Sequence, residues 1–196
     1  MKPYADSCEQ NKRSILDVIK VEFADRQHVL EIASGTGQHA VFFGHALPHL
    51  QWQTSELTQN HAGIQAWLDE AQLPNVYSPI AIDVNANSWP IDRTDSIFNA
   101  NTVHILSWLS VEHMFAGIGR VLSKGGVVCM YGPFNYDGKF TTESNARFDA
   151  WLKSRDPASG VRDFEEINRL AKAQGLSLIK DIDMPGNNRT LVWKRI

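Results

Sequence analysis

His28-Val29-Leu30-Glu31-Ile32-Ala33-Ser34-Gly35-Thr36-Gly37-Gln38-His39-Ala40 couples a short β-rich run to a glycine turn and then to a helix. The run His28 to Ala33 is the first strand, and Gln38 to Leu47 reads as a helix stopped by Pro48. Glycines placed directly after a buried strand let the backbone turn sharply and approach a ligand, and the helix that follows presents free N–H groups. Upstream, Ile15, Leu16, Val18, Ile19 and Phe23 recur at helix-compatible spacing over residues 9–24.

The strand-turn-helix unit recurs downstream. Gln51–Ser55, Val76–Ile82, Asp95–Ala100 and Gly126–Tyr131 read as strands, with helices at Ala62–Ala71 and Ser110–Leu122. Such alternation predicts an α/β chain built on a doubly wound, mostly parallel sheet. Beyond Gly132 come a polar loop, a helix over Thr142–Lys153 and another over Asp163–Ala173. Leu176–Asp181 and Arg189–Lys194 flank Pro185-Gly186-Asn187-Asn188 and predict a C-terminal antiparallel hairpin. A length of 196 residues fits one domain, 1–196.

Composition narrows the partners. A formal charge of -3 and no long basic stretch argue against nucleic acid and for a small-molecule substrate. No apolar run approaches the roughly 18 residues of a membrane span, and Met-Lys-Pro-Tyr-Ala-Asp-Ser leads into no apolar core of a signal peptide. Two cysteines, Cys8 and Cys129, make neither a disulfide framework nor a zinc site, so a cytoplasmic location is expected. No metal-binding helix motif, phosphate loop or nucleophile elbow is present. His45 and His49 stand four apart but lack an acid or cysteine to complete a ligand set, and read as surface residues; the six tryptophans read as core.

Gly35-Thr36-Gly37-Gln38-His39-Ala40 also satisfies the dinucleotide fingerprint, with Glu56 about 20 residues beyond, so the turn by itself admits both NAD and S-adenosylmethionine. Glu31 separates them. A carboxylate inside a buried strand costs several kcal/mol unless it meets a charged or hydrogen-bonding partner. The ammonium of a methionine moiety is such a partner, whereas a pyrophosphate would be repelled. Glu56, with Leu57 after it, ends the second strand where a carboxylate can accept from ribose hydroxyls; Asp83, with Val84 after it, ends the third where it can accept from an adenine amino group. Each acid read singly also suits a helix cap or an exposed strand end.

Asn99-Ala100-Asn101-Thr102-Val103-His104 follows an apolar run at the carboxyl edge of the sheet, where ligands bind. Asn99 is a candidate cofactor ligand. His104 either removes a proton from the acceptor, imidazole titrating near neutrality, or makes only a local hydrogen bond. Tyr131 is the other candidate for proton transfer. Phe134, Asn135 and Tyr136, between Gly132 and Gly138, read either as a substrate lid or as a surface connection.

Val29 to His39 resembles the glycine motif of S-adenosylmethionine-dependent methyltransferases. The chain further resembles the methyltransferase-like protein 26 family through Cys8–Lys12, Asn101–Ile105, Tyr131–Phe134, Ser144–Asp149 and Asp183–Asn188. The resemblance implies a Rossmann-like, seven-stranded methyltransferase fold, with S-adenosylmethionine on Glu31, Ala33, Gly35, Gly37, Glu56 and Asp83, and with Asn11 and Tyr4 folded over it from the N-terminal segment. It names no acceptor. Ala33 departs from the broader pattern, standing where many members have a first glycine. Two other classes of function stay open at this point: a non-catalytic cofactor-binding partner or sensor, and an NAD-dependent oxidoreductase.

Overall fold

Strand and helix alternate through most of the chain in the computed structural model, which describes residues 2–196. Helix α1 (Asp6–Glu22) precedes β1 (His28–Glu31), α2 (Gln38–Ala46), β2 (Gln51–Glu56), α3 (His61–Ala71), β3 (Val76–Ala81), β4 (Thr94–Ala100), α4 (Trp108–Val121) and β5 (Leu122–Gly132). Then come β6 (Phe134–Asn135), α5 (Glu143–Arg155), β7 (Arg162–Asp163), α6 (Phe164–Ala173), β8 (Leu176–Met184) and β9 (Asn188–Arg195). Seven strands form one sheet in the order β3-β2-β1-β4-β5-β9-β8. Strands β3 to β5 run parallel, and β9 is antiparallel to both β5 and β8. This is the doubly wound, mostly parallel sheet with a C-terminal antiparallel hairpin that the sequence predicts. The chain leaves β1 toward β2 on one side and finds β4 on the other, so a crevice opens at the carboxyl end of β1.

Side-chain alternation explains why both faces are covered. Val128 and Met130 of β5 pack with Leu30, Ile97, Leu191 and Trp193 against α4 and α6. Val127, Cys129 and Tyr131 point the other way, with Val29, Trp52 and Phe98, against α1, α2 and α3. Glu31 shares the parity of Val29, which places an acid within the second layer. Burial of each large apolar side chain there stabilises the fold by about 1.5–3 kcal/mol.

Several boundaries differ from the sequence reading for local reasons. Strand β1 stops at Glu31 because Ala33 turns into the left-handed region, φ 58°. Helix α1 starts at Asp6, and β5 begins at Leu122, crossing the left-handed Gly125 (φ 77°) and a register irregularity opposite Thr94–Ser96. Trp52, Trp89 and Trp193 are core residues, whereas Trp151 is 51% exposed on α5, so a core role fails for it. Cys8 and Cys129 are both free, and His45 and His49 are exposed. Among the described residues no helix is long and apolar enough to cross a membrane.

Candidate functional site

Glu31 is 2% exposed and sits beside an aromatic cluster of Phe43, Trp52 and Phe98, whose ring centroids lie 5.3–5.8 Å apart. Its Oε2 accepts from the indole N–H of Trp52 and from Ser34 Oγ, each at 3.0 Å. Ser34 Oγ also accepts from Ser55 N–H at 3.1 Å, and Ser55 Oγ donates to the Glu31 carbonyl at 2.6 Å. These bonds lock the β1 turn onto β2. No cation among the described residues pairs with Glu31, and burial raises its pKa to about 7, the Trp52 and Ser34 donors offsetting part of the effect and the Glu56 charge adding to it.

Gly35 and Gly37 adopt φ of 58° and 89°, and a Cβ on Gly37 would meet the Ile64 backbone of α3 at 3.2 Å. Gly37 thus serves packing. A Cβ on the exposed Gly35 would meet nothing within 4 Å, so open space lies over the turn. Glu56 accepts from Gly35 N–H (3.1 Å) and Leu57 N–H (2.8 Å), one bond per oxygen, and keeps lone pairs for a ligand. Asp83, exposed, accepts from the backbone and side chain of Asn85. Leu57 is 38% exposed beside Glu56, while Val84 is buried in the core and can offer a ligand only its backbone. Asn99 is fully buried; its amide donates to the Ile32 carbonyl at 3.0 Å, tying β4 to β1, and its Oδ1 has no partner.

The residues after the glycines attach α1 to this turn. Gln38 accepts from Ala5 N–H at 2.6 Å and donates to Glu9 at 3.1 Å. His39, buried and with its pKa lowered to about 4 by burial, pairs with Asn11 Oδ1 at 2.7 Å. The N-terminal segment therefore lies against the turn, with Pro3 accepting from Trp67 Nε1 at 2.7 Å and Tyr4 left 61% exposed.

A cavity of about 970 Å³ opens at the carboxyl edge of β4 and β5, and Glu31, Ala33, Gly35, Gly37, Glu56 and Asp83 are not among its lining. Asn11 of α1, Asn101 and His104 after β4, Tyr131 of β5, Phe148 of α5 and Asn188 of β9 are among its lining. Asn101 is left-handed, φ 57°, with its N–H bonded to the Tyr131 carbonyl at 2.9 Å. His104 is 1% exposed, its Nδ1 is buried without a partner, and its ring meets Phe148 edge-on at 5.3 Å. Burial first, then the Arg162 charge, lowers its pKa to about 4, which corrects the expectation of titration near neutrality. Burial raises the Tyr131 phenol, so at neutral pH it is a hydrogen-bond donor and not a base.

The loop after β5 is not a lid. Phe134 and Asn135 are buried and pair with Arg162 and Asp163 of β7, and Tyr136 stacks on Phe164 and donates to Asp181 at 2.8 Å. Of that segment only Pro133 reaches the cavity. Sequence reasoning missed the α5 wall, Asn145, Phe148, Trp151 and Arg155, and the hairpin turn at Pro185–Gly186. A signal for them was present. All five stretches quoted beside the glycine motif contribute to this one cavity: Gln10 and Asn11; Asn101, His104 and Ile105; Tyr131 and Pro133; Ser144, Asn145 and Phe148; Pro185, Gly186 and Asn188.

A family model described as "Protein of unknown function (DUF938)" matches residues 2–195. Among solved structures, an O-methyltransferase family protein from Burkholderia thailandensis superposes with TM-score 0.81 at 14% identity, covering 94% of this chain and 56% of that one. The S-adenosylmethionine-dependent methyltransferase SibL gives 0.81 at 19% identity, covering 96% and 55%. An O-methyltransferase from neocarzinostatin biosynthesis, NcsB1, in complex with S-adenosylmethionine and 2-hydroxy-5-methyl naphthoic acid, gives 0.80 at 14%, covering 97% and 55%. The chain spans little more than half the length of these three proteins.

Proposed function

The chain belongs to the DUF938 family, and for it we propose methyl transfer from S-adenosylmethionine to a small-molecule acceptor held in the cavity beside His104. The observation that carries this reading is Glu31: a carboxylate inside the sheet, free of any protein cation among the described residues, at the turn where Gly35 leaves open space. An amino-acid ammonium supplies the missing charge. The cofactor in the NcsB1 complex, whose fold this chain shares, supports the same assignment.

In this reading Glu31 takes the ammonium, Glu56 the ribose hydroxyls and Asp83 the adenine amino group. Leu57 lies against the base, and the backbone of Ala33, Gly35 and Val84 lines the groove. Bound there, S-adenosylmethionine supplies an electrophilic methyl group. The chain's own residues align the acceptor and exclude water. Positioning can remove roughly 7–11 kcal/mol of barrier, so neither a covalent nucleophile nor a metal is required. His104, neutral at physiological pH, receives the proton of an acceptor hydroxyl, and Tyr131 donates a hydrogen bond. Asn99 and Asn11 act through others: Asn99 fixes the β1–β4 edge, and Asn11 holds His39. The cavity volume falls within the range of small-molecule sites.

Calorimetric titration with S-adenosylhomocysteine and, separately, with NAD tests the proposal. Saturable binding of the first and not the second is expected. Tight NAD binding with no response to S-adenosylhomocysteine would refute it.

A further inference from the structure

One wall of the acceptor cavity is aromatic, carrying Phe148 and Trp151 of α5. The rings of Phe148 and Trp151 lie nearly parallel, centroids 5.8 Å apart and 17° between planes. The Arg155 guanidinium stands 4.9 Å from the Trp151 ring, and His104 meets Phe148 edge-on. Trp151 is 51% exposed, and Ile105, also of the lining, 59%, so apolar surface is left open here that a protein ordinarily covers.

Charge is confined to the mouth. Among the described residues of the lining, Arg155 and Asp156 alone are charged, and both are exposed at the end of α5. The inner wall offers the amides of Asn101 and Asn145, the Tyr131 phenol and the unpartnered imidazole of His104. A charge carried to that inner end would lose its water without gaining a counterion, a penalty of several kcal/mol. Amines, amino acids and phosphates are therefore poor acceptors for this site.

We propose that the acceptor is a hydroxylated planar aromatic compound, its ring stacked on the Phe148–Trp151 wall and its hydroxyl directed to His104. The inference rests on the methyl-transfer reading. In the reaction the phenol oxygen forms the new O–C bond as the C–S bond breaks, the C–S electron pair stays on sulfur, and the phenol proton passes to the imidazole and on to solvent. The weak basicity of His104 fits a phenol, with pKa about 10, far better than an aliphatic alcohol, which is a much weaker acid, comparable to water.

The test is calorimetric and needs no turnover. S-adenosylhomocysteine is titrated first, and the saturated protein then receives 2-naphthol or its saturated counterpart decahydro-2-naphthol. The aromatic alcohol should bind roughly two- to tenfold more tightly, the increment of one stacked pair. Trp151→Leu should remove that preference and Trp151→Phe restore most of it. Equal or tighter binding of the saturated alcohol by the unmodified protein overturns the proposal without reference to any variant, as does a preference indifferent to Trp151→Leu. Failure of S-adenosylhomocysteine itself to bind sinks the underlying reading and this inference with it. Its binding followed by loss of the aromatic preference sinks the acceptor class alone.

Discussion

The indole N–H of Trp52 and the Oε2 of Glu31 are hydrogen-bonded at 3.0 Å inside the sheet, and Ser34 Oγ donates to the same oxygen. Two neutral donors do not balance a buried charge, which is why the carboxyl pKa stands near 7. Glu31→Gln keeps the shape and removes the charge. Above pH 7 the substitution should stabilise the ligand-free chain by up to about 3 kcal/mol, the price of holding an ionised acid there. The folded chain keeps its proton more tightly than the unfolded one, so wild-type stability falls as pH rises from 4.5 to 7 and the advantage of the variant vanishes below that window. Urea unfolding at pH 4.5 and pH 8 measures the difference. In the same variant S-adenosylhomocysteine affinity should fall tenfold or more; a variant no more stable at pH 8 than at pH 4.5, relative to wild type, would sink the account.

Cofactor binding should itself move protons. An ammonium placed against Glu31 draws its pKa down, so below pH 7 the complex forms with release of up to one proton. Affinity for S-adenosylhomocysteine should then rise with pH by up to tenfold per unit below pH 7 and level off above it. Calorimetry at pH 6 in buffers of different ionisation enthalpy reads the proton directly. Proton uptake, or none, contradicts the pairing.

The glycine turn was legible because its signals are local. Strand, glycines, helix start and the acid four residues before Gly35 all lie within one short segment, and residue alternation alone puts Glu31 indoors. The large cavity is assembled from α1, the β4–α4 connection, α5 and the β8–β9 turn, so no single segment announces it. Residue type alone puts Trp151 in the core, although Lys153, Ser154, Arg155 and Asp156 beside it mark a solvated helix end. For Phe134–Tyr136 the flanking glycines leave a lid and a surface connection equally open, and only the two-residue pairing with β7 shows the loop pinned. His104 was placed at the right edge with the wrong basicity, because burial and the Arg162 charge come from distant segments.

Ala33 and Gly35 share a left-handed φ of 58° with different surroundings. An L-residue in that conformation costs about 1 kcal/mol. Ala33→Gly should therefore raise stability by a few tenths to about 1 kcal/mol, a melting-point gain of roughly 1–4 °C for a chain of this size. Gly35→Ala should lose about the same in stability, since no atom crowds the added methyl, yet it places that methyl in the open space over the turn. The expected signature is a small fall in melting temperature with a tenfold or larger loss of S-adenosylhomocysteine binding. Equal affinity in Gly35→Ala would mean that the ligand lies elsewhere.

Arg162 holds the His104 loop from behind. Its guanidinium donates to the carbonyls of Val103 (3.1 Å), Leu106 (2.5 Å) and Ala158 (2.8 Å), bracketing His104, while Gly160 N–H donates to the His104 carbonyl at 2.8 Å. The same cation adds to burial in keeping the imidazole neutral. Arg162→Met and Arg162→Lys separate the two contributions. Both lose the fork of hydrogen bonds and should lower stability by about 2 kcal/mol. Only the methionine variant loses the charge, so only there should the His104 ring, followed by NMR against pH, titrate above its wild-type value of about 4. Because the readout is a ring resonance it requires no acceptor. An unchanged His104 titration in Arg162→Met, with the fold intact by amide spectra, would remove Arg162 from the site and leave burial alone to set the basicity of the imidazole.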